Sequence, residues 1–367
     1  MALAPRVAIV TLHALEPEGL KGVTSFRSYR GQSSLDMCAP VVAHRLASPF
    51  LPIFNSSFFV MTNSADVVEE ARRYGFESQR IPEELQAAVD LRRLRGNAQD
   101  PPSFWKLASL FKVAAVKYTE FSHVCFHDID VVLNVHPLLW MLRDRKSAPA
   151  RLLGCGMPQT VEAPHAELIN GGLLCIRPQS QDYLELLDLV ANASFDYERG
   201  WRPLGAPTRD ERRAVQPDGS PINWRFPGSG DDQGLLLYHY HVRHGSFATP
   251  HRCTPQAAAF DRRLFYHFLG GVKPWHRVAL HSLQEYYDRH RPGFCSWFLT
   301  LAAISKETAD GAAPASTRCA AQMRRIKPVV WEHIHQLCPV PSAARGGNKH
   351  RSAPRRHQAR DVRAPSE

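Results

Sequence analysis

The chain has 367 residues, 44% apolar and 22% charged, with a net charge of +10. That composition supplies a real hydrophobic core and excludes a fibrous or wholly disordered protein. The length allows two or three domains of ~100–200 residues, or one larger α/β unit with extensions.

Arg6–Leu12 (RVAIVTL) is a short β-branched run that reads as a buried first strand. A Gly- and Ser-containing segment follows, then a helical stretch around Asp36–Leu46. Ser57–Thr62 is a second strand, Asp66–Tyr74 a helix stopped at Gly75, and Gln79–Pro82 a third strand. This strand–helix alternation is the signature of a sheet with crossovers. After a loop at Asn97–Pro102, Phe104, Leu107, Phe111, Ala114, Ala115, Tyr118 and Phe121 recur at three- and four-residue spacing. They predict an amphipathic helix with Lys106, Lys112 and Lys117 on its other faces. Val124–Phe126 begins a strand that runs into two carboxylates. Leu152–Met157 and Leu173–Ile176 are further strands, and Asp182–Ala191 is helical. Trp201–Ser229, rich in Pro, Gly and Arg, reads as a long loop or insertion. Asp232–Tyr240 opens a helix, Leu264–Gly270 is a late strand, and helices fill Leu280–Leu337. The tail Ser342–Glu367 carries seven Lys/Arg against two acids, half the net charge, and reads as disordered. A solvated tail is the first reading of it, contact with an anionic surface the second.

No apolar run reaches the roughly 20 residues of a membrane helix. Cys125, Cys155 and Cys175 lie in apolar strand-like runs and read as small buried hydrophobes. Cys253, Cys295, Cys319 and Cys338 cluster late and can pair in an oxidising compartment. No zinc-type Cys/His spacing is evident. The first residues lack the pattern of a secretory signal, so the compartment reads as cytoplasmic, with the Golgi lumen as alternative if the N-terminus is incomplete. Asn55-Ser56-Ser57 and Asn192-Ala193-Ser194 have the form of glycosylation acceptors.

Four short segments carry chemistry. Asp128-Ile129-Asp130 follows an apolar strand, and at the carboxyl end of an α/β strand two such acids can converge on Mg²⁺ or Mn²⁺. Ile169-Asn170-Gly171-Gly172 places an amide and two glycines before a strand. Gly230-Asp231-Asp232-Gln233-Gly234 opens a helix, where an acid is a cap by default. His267-Phe268-Leu269-Gly270-Gly271-Val272-Lys273-Pro274-Trp275 joins a nitrogen ligand, glycines that admit a ligand closely, and a lysine suited to phosphate.

In this order, over Val7 to Trp275, these segments resemble glycosyltransferase family 8, its glycogenin-like members in particular. The resemblance implies a single Rossmann-like nucleotide-diphospho-sugar transferase domain, a mostly parallel central sheet flanked by helices, over 1–280. A helical C-terminal extension over 281–340 and the tail over 341–367 complete the chain. It implies Mn²⁺, with Mg²⁺ as substitute, on Asp128, Asp130 and His267. A UDP-sugar donor would meet Thr11, Leu12, Lys106, Asp128, Asn170, Gly171, Gly270 and Lys273, and Asp232 and Gln233 would flank the reacting sugar carbon. The implied reaction is retaining hexosyl transfer to a hydroxyl of a glycan, polyol or protein, through either a covalent intermediate or same-face attack. A homodimer is also possible. The sequence departs from the family in three places. Ser229 stands where a further Asp is common, no Tyr lies between Leu12 and Gly22, and Trp201–Ser229 has no counterpart. A catalytically weak binding relative is therefore the second reading.

Overall fold

Val7–His13 forms β1, and its side chains alternate between two cores. Val7 and Ile9 enter one, Ala8 and Val10 the other, as expected of a strand buried on both faces. The structure, a computed structural model, describes residues 6–13, 38–95, 104–143, 150–154, 169–203, 222–226, 228–248, 265–267 and 280–339. The Asn97–Pro102 loop, the first-loop segment and the basic tail lie outside these residues.

Helix α1 (Ala39–Ala47), strand β2 (Ser56–Thr62), helix α2 (Ala65–Arg73), strand β3 (Glu77–Arg80) and helix α3 (Glu83–Arg95) follow in order. The chain leaves α2 through Gly75, whose φ of +73° only glycine adopts freely. The amphipathic stretch begins as helix α4 (Phe104–Ser109) and tightens into a 3₁₀ turn over Leu110–Lys117. Then come β4 (His123–His127), β5 (Val131–Leu133), α5 (Val135–Arg143), β6 (Leu152–Gly154), β7 (Leu173–Ile176) and α6 (Ser180–Asn192). A small ribbon, β8 (Ser194–Asp196) with β9 (Gly200–Arg202), leads to α7 (Asp232–Leu237), which continues as a π turn over Tyr238–Arg243. Strands β10 (Phe247–Ala248) and β11 (Phe265–His267) precede α8 (Leu280–Ala309), α9 (Arg318–Met323) and α10 (Pro328–Leu337). Helix α8 kinks at His290, two residues ahead of Pro292, which has no N–H for the ladder.

The main sheet has the order β10-β6-β7-β4-β1-β2-β3. β1 is parallel to both β2 and β4, while β7 runs antiparallel between β4 and β6. Helices α1 and α8–α10 cover one face, and α3, the 3₁₀ turn, α6 and α7 cover the other. The mostly parallel sheet with helices on both faces is the α/β architecture the alternation predicted. Its strand order reverses at β1, between β2 and β4, so ligands are expected beyond the carboxyl ends of β1 and β4.

Three disulfides tie the described residues: Cys38–Cys319, Cys125–Cys175 and Cys295–Cys338. Cys125 and Cys175 are buried as expected, and they are also bonded to each other. They are direct register partners across β4 and β7, a relation that composition alone could not show. Of the late cysteines, Cys295 and Cys338 pair with each other as expected, whereas Cys319 takes Cys38 from far earlier in the chain. Cys155 and Cys253 lie outside the described residues. The C-terminal helices are also pinned by Glu70 of α2, whose Oε1 accepts the backbone N–H groups of Arg318 and Cys319 at the start of α9.

The ends of the Trp201–Ser229 segment are core rather than loop. Trp201 and Trp224 are fully buried, and Trp201 Nε1–H donates to the carbonyl of Ser229 at 2.8 Å. Residues 204–221 lie outside the description.

Candidate active site

Four segments separated in sequence converge at the carboxyl ends of β1 and β4. β1 brings Thr11, which is fully buried and in register with His127, the last residue of β4. The chain then turns through Asp128-Ile129-Asp130, closed by a bond from Val131 N–H to Asp128 O at 3.0 Å. Asp130 is buried and Asp128 partly exposed. Because β7 is antiparallel, the residues before it, Asn170-Gly171-Gly172, arrive at this same sheet edge. Asp128 N–H donates to Gly172 O at 3.0 Å, and Asn170 Oδ1 accepts Gly172 N–H at 2.8 Å.

The ammonium at the centre belongs to Lys112. Its Nζ lies 2.7 Å from Asp128 Oδ1 and 2.8 Å from Asp232 Oδ2, and it donates to Gly171 O at 3.0 Å. Sequence periodicity set Lys112 on an outer face of a continuous α-helix. The tightening to 3₁₀ geometry changes the rotation per residue, and the whole run Leu110–Val116 is buried. Burial alone would pull the Lys112 pKa down, but the two carboxylates outweigh it and the net shift is upward. Lys106, the lysine predicted to reach a donor, is exposed in α4. Its charge helps to restrain the pKa of Asp231, which burial and the neighbouring Asp232 push up to about 6.

Gln233 Oε1 accepts Gly171 N–H at 2.7 Å, so the D-Q pair and the N-G-G segment are joined directly. Gly171 leaves no room for a side chain: a Cβ there would stand 2.7 Å from Asp232 Oδ2 and 3.0 Å from Lys112 Nζ. His127 is buried behind Asp128, its Nδ1–H on Asp128 O at 2.9 Å, and burial lowers its pKa to about 4. The ring is therefore neutral at pH 7.

The β5–β11 register sets His267 opposite Val131, the residue after Asp130. The backbone thus brings β11 alongside the acidic turn. Gly270 and Lys273 lie outside the described residues. Leu12 is half-buried at the end of β1. Of the residues expected to hold a divalent cation, Asp128 and Asp130 lie on this turn, and the backbone of β11 carries His267 past it. The two carboxylates suit Mn²⁺ or Mg²⁺ in donor type. A separate cleft of about 330 Å³ opens at the ends of β2 and β3, lined in part by Thr62, Ser64, Arg80 and Gln86. It lies on the side of β1 away from Asp128 and does not include the acidic turn.

A scan against family models finds no match for this chain, and a search of curated proteins finds none either. Solved structures do resemble it. A galactosyltransferase, LgtC, in complex with donor and acceptor sugar analogues is 15% identical over 77% of this chain and 94% of its own, at a TM-score of 0.39. The glycosyltransferase GlyE of Streptococcus pneumoniae is 12% identical over 85% of this chain and 65% of its own, at 0.37. Mouse xyloside xylosyltransferase 1 is 12% identical over 67% and 86%, also at 0.37. At this level of likeness, function has to be argued from the side chains themselves.

Proposed function

We propose that the chain is a glycosyltransferase that moves a hexose from a UDP-sugar to a hydroxyl acceptor with retention of anomeric configuration. The carrying observation is the single ammonium of Lys112 shared by Asp128, Asp232 and Gly171 O. It draws the acidic turn, the N-G-G segment and the D-Q pair onto one point beside the strand-order reversal, where this architecture binds nucleotides.

Transfer breaks the bond from the anomeric carbon to the diphosphate and forms one to the acceptor oxygen, while the acceptor proton leaves with the departing diphosphate. Negative charge grows on the leaving group, so groups that meet it more strongly in the transition state accelerate the step. A divalent cation held by Asp128, Asp130 and His267 would supply positive charge at the diphosphate. Lys112 fixes one oxygen of Asp128 and offsets the repulsion between Asp128 and Asp232. Asp232 is buried against Lys112, and Gln233 Oε1 is occupied by Gly171 N–H. Both therefore read as groups that orient the sugar, and the reading favours same-face attack by the acceptor over a covalent enzyme intermediate. Lys273 and Gly270 are assigned to the diphosphate on their sequence context. The three disulfides favour an oxidising compartment, since such bonds are rare in reducing ones. Among the described residues no helix is long and apolar enough to cross a membrane.

A screen of UDP-sugars with Mn²⁺, scored by release of UDP, tests the proposal. Turnover is expected with at least one donor and should be abolished in Asp130→Ala. A wild-type chain that binds UDP yet releases none from any donor would establish the binding-relative reading instead.

A further inference from the structure

Away from the acidic turn, a second cluster of ligand-type groups lies between α6 and the π turn. Asp182 and Glu185 are three residues apart on α6 and so share a face. His239 and His244 face them. In an α-helix, residues five apart point about 140° away from one another. The π turn removes that divergence, because its i→i+5 bonding, with His244 N–H on His239 O at 3.2 Å, stacks the two. Their ring centroids are 4.6 Å apart. His239 Nε2 stands 3.5 Å from Asp182 Oδ1, and His239 Nδ1 stands 3.9 Å from Glu185 Oε2. His244 Nε2 pairs with Glu185 Oε2 at 2.9 Å. One ligand atom each from Asp182, His239 and His244 lies within 4.8 Å of the others, and tetrahedral zinc needs a spacing of about 3.3 Å.

Buried polar atoms without well-formed hydrogen bonds gather at this spot. Asp182 Oδ2, both ring nitrogens of His239 and the Tyr240 hydroxyl lack a well-formed hydrogen bond, the nearest approach being His239 Nε2 to Asp182 Oδ1 at 3.5 Å with Tyr240 beside the same carboxylate, and His239 is 0% exposed. One such atom is a curiosity, but four side by side call for a buried ligand. Arg151 NH1 holds Asp182 Oδ1 at 2.8 Å, and Arg243 NH1 stands 3.6 Å from Glu185 Oε2. Each cation thus shares a carboxylate oxygen with a histidine, Arg151 sharing Asp182 Oδ1 with His239 and Arg243 sharing Glu185 Oε2 with His244. Arg151 leaves Asp182 Oδ2 available, so it orients one ligand as an outer partner does.

We infer that Asp182, His239 and His244, with Glu185 beside His244, form a structural Zn²⁺ site that staples α6 to the π turn. Imidazole with carboxylate suits zinc among the borderline cations. The staple would hold the far end of the helix whose start carries Asp232 and Gln233, and it is independent of any sugar chemistry there.

The test uses the full-length chain with disulfides intact, stripped with EDTA and titrated with Zn²⁺, and with Co²⁺ as spectroscopic probe. Expected are one Zn²⁺ per chain bound more tightly than about 1 μM, a raised Tm, and the visible bands of tetrahedral Co²⁺. His244→Gln, at a position 25% exposed that tolerates the change, should weaken binding at least 100-fold. Asp130→Asn, which disables the proposed donor site, should leave binding intact. No Zn²⁺-dependent rise in Tm and no Co²⁺ bands would overturn the inference and leave buried water as the filler. Binding unchanged in His244→Gln, or lost in Asp130→Asn, would overturn it too.

Discussion

Replacing Lys112 by Met keeps most of the buried stem and deletes the charge. At Nζ–O distances of 2.7 and 2.8 Å, and an effective dielectric of ~20, each pair is worth about 6 kcal/mol of Coulomb attraction. Taking a 7%-exposed ammonium out of water offsets much of that. What the variant loses is the partner of two carboxylates that stay behind, one of them 5% exposed. Breaking a buried pair from one side costs about 3–5 kcal/mol, and that is the expected drop in unfolding free energy at pH 7. The pH dependence has a definite sign. In the wild type the Lys112 pKa is raised, so its contribution is complete below the ordinary lysine value of 10.5 and fades only above it. In the variant a stranded buried carboxyl should have a raised pKa, and protonation relieves it. The deficit should therefore shrink as pH falls from 7 toward 5. Urea unfolding of both proteins under non-reducing conditions, at pH 7 and pH 5, measures this. A deficit below about 1 kcal/mol at pH 7, or one that does not change with pH, would refute the reasoning.

Three further outcomes are expected. Burial lowers the His127 pKa from 6.5 to about 4, so the unfolded chain takes up a proton there before the folded one does. Stability should fall as pH drops from 6.5 and level off below 4, by about 3 kcal/mol for this residue, and His127→Gln should flatten the profile in that window. The Cys125–Cys175 bond closes a sequence separation of 50, worth about 4 kcal/mol on the chain-entropy model, so the Cys125→Ala/Cys175→Ala protein should melt markedly lower in calorimetry. Gly200 has a φ of +75°, and a Cβ there would meet the Trp224 ring at 2.2 Å. Gly200→Ala should cost at least about 2 kcal/mol, visible as a lowered urea midpoint.

The alternating β and α segments could be read from the chain because strand and helix periods are local. β1, β2 and β7 and helices α1, α2 and α6 lie within a few residues of their expected places. The acidic turn and the D-Q pair were legible as short motifs. Lys112 was not, since an α-helical period was assumed through Leu110–Lys117 where the backbone is 3₁₀. A lysine placed between apolar residues in a run that proves wholly buried was the available clue. The bond between Cys125 and Cys175 depends on which strands pair, and the antiparallel insertion of β7 beside β4 is a tertiary fact. The π turn after Leu237 likewise left no mark in the hydrophobic pattern.

Cys38 and Cys319 are 281 residues apart, and Glu70 caps a helix that begins only at Arg318. A ribosome must therefore deliver the chain as far as α9 before one face of the sheet can be closed. Until then the apolar side of α1 and the β1–β2 pair waits uncovered, a state prone to sticking and slow to resolve. Nascent chains halted before α9 should need chaperone protection until that helix is made.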